Sequence, residues 1–181
     1  MTRPLNFVMI SPHFPTNFEP FAHRLRANGF NTLGIADTPY EELSDSLKTA
    51  LTEYYRVDNM EDYDQVYRAV AYFAHKYGRI DRIESHNEYW LELDARLRTD
   101  FNVFGYKNDD MLSIKTKRQM KEIFRQTGIK VARGEVFHSD DEARNLAKEL
   151  GFPVIIKPNS GVGASDTYKI KSQAELEDFL G

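Results

Sequence analysis

The chain has 181 residues, no cysteine, 41% apolar residues and a formal net charge of −4. That apolar content supports a packed core and excludes a disordered chain. Zero cysteine excludes disulfides, thiolate-held metals and thiol nucleophiles, and the acidic balance argues against a general nucleic-acid binder.

The first half alternates. Asn6–Ser11 is an apolar run stopped by Pro12, which predicts a strand. Apolar residues at three- and four-residue spacing predict a helix over Phe18–Asn28, closed by Gly29. Asn31–Ala36 reads as a strand, Tyr40–Leu51 as a helix and Glu53–Val57 as a short strand. Met60–Tyr77 is a long helix closed by Gly78, Asp81–Ser85 a fourth strand, Asn87–Arg98 a further helix, and Val103–Gly105 a last short strand. The aromatic pairs Phe18/Phe21 and Tyr63/Tyr67 are expected in the core. Strands alternating with helices at this spacing predict an α/β fold, a Rossmann-like parallel sheet over residues 1–110. No GxGxxG is present, so a dinucleotide wrapped on the first helix is not expected.

Past residue 110 the pattern changes. Net charge turns from −6 over residues 1–110 to +2 over residues 111–181, which suits a small polyanion better than a long one. Ser113–Gln126 reads as one basic helix with Ile114, Met120, Ile123 and Phe124 inward. Arg133–His138 reads as a strand, and Ser139 with Glu142 forms a capping box for a helix through Leu150. Val154–Lys157 is expected to be a buried strand, followed by a loop of small residues and an antiparallel return strand, Thr167–Ile170. Ser172 caps the last helix, with Glu175 at the boxed position.

The sharpest chemical feature is the lysine at the end of that apolar strand. A buried ammonium is costly without an anion, and the small residues after it let backbone N–H groups approach a ligand closely. The alternative is an ordinary hairpin with an exposed lysine. It is not a Walker A loop, since GxxxxGK[ST] is absent. At the carboxyl ends of the predicted parallel strands, where open sheets collect ligands, His13, Asn87 and Glu88 are candidates for substrate contact; Asn87 is equally a helix cap. His23, His75 and His138 show no metal-ligand spacing.

Thr116-Lys117-Arg118-Gln119-Met120-Lys121, then Gly128-Ile129-Lys130-Val131-Ala132-Arg133, then Gly151-Phe152-Pro153-Val154-Ile155-Ile156-Lys157-Pro158 and its glycine-bearing loop resemble the start of an ATP-grasp domain. The preceding half resembles the Rossmann-like pre-ATP-grasp domain of the same superfamily, nearest to carbamoyl-phosphate-synthase-like and biotin-carboxylase-like proteins. The resemblance implies a pre-ATP-grasp domain over 1–110 and a small α+β ATP-grasp subdomain over 111–181. It also implies ATP and Mg²⁺ as cofactors. Lys117, or Lys115 in its place, and Lys157 would contact the α- and β-phosphates. The backbone of Ser160, Gly161, Val162, Gly163, Ala164 and Ser165 would cover the β- and γ-phosphates. A similar Asn-Glu pair lies near the active site of biotin-carboxylase-like relatives. Two departures stand out: Thr116 occupies a position where the family usually has an acid, and the loop is poorer in glycine.

The family continues beyond this loop with the part that holds its metal ligands and binds the acyl phosphate. The resemblance therefore implies the N-terminal portion of a longer ATP-dependent ligase, which joins a small carboxylate to an amine or related nucleophile through an acyl phosphate. The expected partners are ATP, the carboxylate and the remaining half of the same domain, with no nucleic acid and no membrane. No catalytic or metal-ligating residue is expected within the 181 residues, which alone would be inactive. A cytoplasmic location fits the absence of a signal-peptide pattern. The alternative is a non-catalytic small-molecule or nucleotide-binding module, or an α/β regulatory domain without nucleotide.

Overall fold

The computed structural model describes residues 3–160 and 166–181. The chain divides into two compact units, Met1–Asp109 and Asp110–Gly181. No helix of the described residues is long and apolar enough to cross a membrane.

In the first unit, β1 (Asn6–Ile10), β2 (Asn31–Ala36), β3 (Glu53–Arg56) and β4 (Arg82–Glu84) form one sheet in the order β3-β2-β1-β4. All three pairings are parallel, with Val8 opposite Leu33 and Ile83, and Leu33 opposite Glu53. Alternate residues of a strand face opposite sides of a sheet, and β1 divides its residues that way. Val8 and Ile10 join Leu33, Ile35 and Ile83 in a core built with Val66, Val70 and Phe73 of α3 (Tyr63–Tyr77) and Leu97 of α4 (Leu91–Asp100). Phe7 and Met9 pack on the other face with Ala22 and Leu25 of α1 (Glu19–Ala27) and Leu47 and Ala50 of α2 (Asp45–Ala50). Both faces are covered, as an all-parallel sheet requires.

The amino end of the sheet is closed by a polar clasp. Buried Asn6 donates its amide to the Tyr77 and Arg79 carbonyls at 2.9 Å and accepts from Asn31 at 2.8 Å. The Asp81 carboxylate accepts from the Asn6 backbone and from both terminal nitrogens of Arg3, each at 2.8 Å. The carboxyl end is left for other work.

The second unit contains α5 (Met111–Lys115), α6 (Lys117–Gln126), α7 (Asp140–Leu150), an antiparallel pair β5 (Val154–Ile156) and β6 (Tyr168–Ile170), and α8 (Gln173–Leu180). Its buried cluster is small: Ala147, Ile170 and Leu176, with Phe152, Val154, Ile156 and Leu180 packed against it. Ser139 and Ser172 cap their helices by accepting from Glu142 and Glu175 N–H, as the capping boxes predict.

Several expectations are corrected. The single helix over Ser113–Gln126 breaks at Thr116, whose backbone is extended (φ −96°, ψ 126°) and whose hydroxyl donates to the Leu112 carbonyl at 2.7 Å. Ile123 and Phe124 are 39% and 42% exposed, whereas Ile114 and Met120 are half-buried, so the expected inward face is only partly covered. Ile155 is 56% exposed, whereas its neighbours Val154 and Ile156 pack against the buried cluster, so the strand is covered on one face only, partly matching the expected burial. Residues 133–138 form no strand; Gly134 sits at φ +144°, which breaks an extended run. The helix expected over Tyr40–Leu51 is interrupted at Leu43, and Ser44 caps a shorter α2 by accepting from Leu47 N–H. Val103–Gly105 forms no strand, with Gly105 at φ +135°. Phe18, Phe21 and Tyr67 are more than a third exposed and lie outside the buried core, whereas Tyr63 packs against it.

Candidate functional site

The cationic site of the second unit is built by two elements. Lys157 directly follows strand β5, and α6 opens with Lys117. Both line one cavity of about 770 Å³, with Arg118, Lys121 and Arg125 on the α6 side and Val154, Ile156 and Leu150 among its apolar residues. Lys115 ends α5 and is outside the described lining. Lys157 is exposed and Lys117 half-buried, so both ammonium groups keep access to solvent.

Asn159, two residues after Lys157, ties these elements together. Its backbone carbonyl accepts from Lys117 N–H at 3.1 Å, and its side-chain oxygen accepts from Arg118 N–H at 3.2 Å. The first N–H groups of a helix have no intrahelical partner, and Thr116, the N-cap of α6, makes no side-chain cap bond. The cap therefore comes from the β5 side. Ser160 is described and exposed, whereas Gly161, Val162, Gly163, Ala164 and Ser165 lie outside the described residues.

The cavity fits a nucleoside polyphosphate in size and chemistry. Ligand pockets run from about 300 to 1,000 Å³ with apolar walls and a few polar anchors, and this one joins apolar walls to several cations. Among the described residues, no three His, Asp or Glu side chains form a group that could hold a metal.

In the first unit the sequence candidates gather at the carboxyl ends of β1 and β4. The chain runs from β1 outward to β2 and β3, then returns to β4 on the other side, so a topological switch point lies between β1 and β4. His13 follows β1. Its Nε2 is 3.1 Å from Thr38 Oγ1, and its Nδ1 is buried without a hydrogen-bond partner among the described residues. Burial lowers its pKa against the opposing pull of Asp37, which keeps the ring neutral at pH 7. Asn87 accepts from Tyr89 N–H at 3.0 Å and caps a single turn, Glu88–Trp90. Glu88 is exposed at the start of that turn.

Three residues here were not read from the sequence. His86, in a left-handed conformation (φ 53°), stacks on Phe18 at 4.8 Å and meets Phe21 edge-on at 4.5 Å. Arg98, 4% exposed, donates to the Ile83 carbonyl and to Glu84, each at 2.7 Å. Asp94, 1% exposed, accepts from the Ser85 hydroxyl at 2.7 Å and from Ser85 N–H at 3.1 Å. Burial pushes its carboxyl up to about 6, in spite of the Ser85 bonds and Arg98 at 3.7 Å. The i, i+4 spacing of Asp94 and Arg98 was the available signal for this pair.

Residues 116–180 match the family model of the carbamoyl-phosphate synthase L chain, ATP binding domain. The carbamoyl phosphate synthase large chain of Agathobacter rectalis is 27% identical over 88 residues, 49% of this chain and 8% of the relative. Residues 116–180 belong to the ATP-grasp superfamily. The L-arginine-specific L-amino acid ligase of Bacillus subtilis is 30% identical over 125 residues, 69% of this chain and 30% of the relative. The biotin carboxylase domain of Hydrogenobacter thermophilus 2-oxoglutarate carboxylase, solved with MgADP, ADP and bicarbonate, is similar in fold with a TM-score of 0.77. It is 19% identical, and the match covers 98% of this chain and 40% of that one. The chain thus spans less than half the length of each of these ATP-grasp relatives. The matched segment begins at Thr116, the residue where α5 gives way to α6, and takes in Lys117, Lys157 and Asn159.

Proposed function

We propose that this chain forms the N-terminal part of an ATP-dependent ligase. In that reading the enzyme activates a small carboxylate as an acyl phosphate and passes it to an amine or a related nucleophile. The observation that carries the reading is the convergence of Lys117 and Lys157, from two separate elements, on one cavity. Two ammonium groups there neutralise the α- and β-phosphates of ATP. They favour the charge carried by the transferring phosphoryl group without reorganising during the reaction. The backbone over Ser160–Ser165 is assigned to the β- and γ-phosphates. Mg²⁺ supplies further neutralisation of the phosphate oxygens when bound, with its ligands assigned to sequence beyond these residues. His13, Asn87 and Glu88 are assigned to the carboxylate or the nucleophile, supported by the position of His13 and Asn87 at the β1–β4 switch point. His13 Nδ1, buried without a partner, supports that assignment for His13.

The test uses the full-length protein. Lys157→Ala is expected to weaken MgATP binding by roughly one to two decades, since a hydrogen bond to a charged group contributes about 1.5–3 kcal/mol. The melting temperature should stay close to wild type, because the side chain is exposed. Hydroxylamine trapping of acyl phosphate against a panel of carboxylic acids then identifies the substrate class. Equal dissociation constants for wild type and Lys157→Ala would remove the phosphate assignment. The 181-residue chain alone is expected to release no ADP above a Lys157→Ala control.

A further inference from the structure

The two lysines assigned to phosphate belong to separate elements, 40 residues apart in sequence, and nothing in β5 or α6 alone fixes one relative to the other. We propose that Asn159 is the positioning residue of the phosphate site, holding the first turn of α6 against the end of β5 so that Lys117 and Lys157 face the same anion. The inference rests on the phosphate-site reading above and adds a residue to it.

Three observations support it. First, α6 lacks its own cap. Thr116 is the residue in the N-cap position, yet its hydroxyl is turned back to the Leu112 carbonyl at 2.7 Å and makes no cap bond. Second, the first two N–H groups of α6 are both satisfied by Asn159, one through its backbone carbonyl and one through its side-chain oxygen. An asparagine oxygen is among the strongest acceptors for helix-start N–H groups, and here it acts across 41 residues instead of the usual two or three. Third, Asn159 lines the same cavity as both lysines.

The chemistry explains why the residue is uncharged. A carboxylate would accept the same N–H groups and favour the positive end of the helix. It would also place a negative charge beside the phosphates it is meant to help hold. An amide caps without that repulsion.

The test is a double-mutant cycle in the full-length protein, read by calorimetric titration of ADP–Mg²⁺ and, separately, of adenosine. Asn159→Ala is expected to weaken ADP about five-fold, the scale of one neutral hydrogen bond, and to leave adenosine unchanged. In a Lys117→Ala background the same substitution should weaken ADP less than about two-fold, because the group it positions is gone. An undiminished effect in that background overturns the proposal, as does an equal loss for adenosine and ADP or no loss at all. Lys157→Ala run in parallel separates the two readings. If it leaves ADP affinity unchanged, the phosphate site itself is wrong. If it weakens ADP while Asn159→Ala fails the cycle, only the positioning role is lost. Should Asn159→Ala not fold, Asn159→Ser, which retains an acceptor oxygen on a shorter arm, goes through the same cycle with the same expected non-additivity.

Discussion

Asp94 shows how much a single buried carboxylate can bias the molecule. Its Oδ2 is served by Ser85, while its Oδ1 is buried with no partner among the described residues. Burial dominates, and the group titrates near 6 instead of its ordinary 3.8. The folded state therefore holds this proton more tightly than the unfolded state does. Its contribution to stability is fully present below about pH 4 and is lost as pH rises through 6, a swing on the order of 3 kcal/mol. Asp94→Asn escapes that loss. Urea denaturation at pH 4, 5, 6 and 7.5 is expected to show the variant gaining on wild type up to about pH 7 and level beyond; a constant offset would count against the assignment. The consequence is local to the site, because Ser85 leads directly into His86 and Asn87 at the end of β4.

At the scale of elements, periodicity and caps were legible, and partners across sequence were not. The four parallel strands, the capping boxes at Ser139 and Ser172 and the return strand β6 all follow from local pattern, because each depends on residues within one turn or one pleat. The break at Thr116 was not legible. The contact of Asn159 with the start of α6 has no signature until the fold brings the two together. The apolar face of α6 was overread for a related reason: amphipathic spacing predicts a buried stripe, but burial depends on what packs against it, and Ile123 and Phe124 stay 39% and 42% exposed. In the second unit, Lys157 was legible at the end of an apolar run, and Lys117 through the family resemblance alone, since the sequence placed it inside one helix over Ser113–Gln126. Arg98 was not, since its partners are carbonyls of β4 and of the loop that follows α4. The crowding on β2 belongs to the same scale. A Cβ on Gly34 would meet Leu51 Cδ1 at 3.0 Å, Tyr54 Cδ2 at 3.1 Å and Pro12 Cγ at 3.2 Å. Gly34→Val is therefore expected to destabilise the protein by about 1–3 kcal/mol through overpacking. A chemical-denaturation midpoint equal to wild type would show that Pro12 and its loop yield freely.

On the scale of the whole molecule, the two units differ in how much they bury. The first has an apolar core on each side of its sheet, whereas the second has three buried apolar residues in its main cluster. Residues 1–109 alone are expected to unfold cooperatively with a dispersed amide spectrum, and residues 110–181 alone to show low protection from hydrogen exchange. A first unit that is unstructured by itself would overturn this division of stability. The thin cover over β5 also has a bearing on colloidal behaviour. Val154-Ile155-Ile156 is a short run of strong strand formers with Ile155 open to solvent and a strand neighbour on one side only among the described residues. Such an edge is a template for stacking chain on chain. Pro153 stands immediately before it and Pro158 follows Lys157. A proline cannot donate to a ladder, so any intermolecular sheet seeded here stops after four residues, one of them a lysine. The same stretch that delivers a cation to the cavity thereby carries its own gatekeepers against fibre growth.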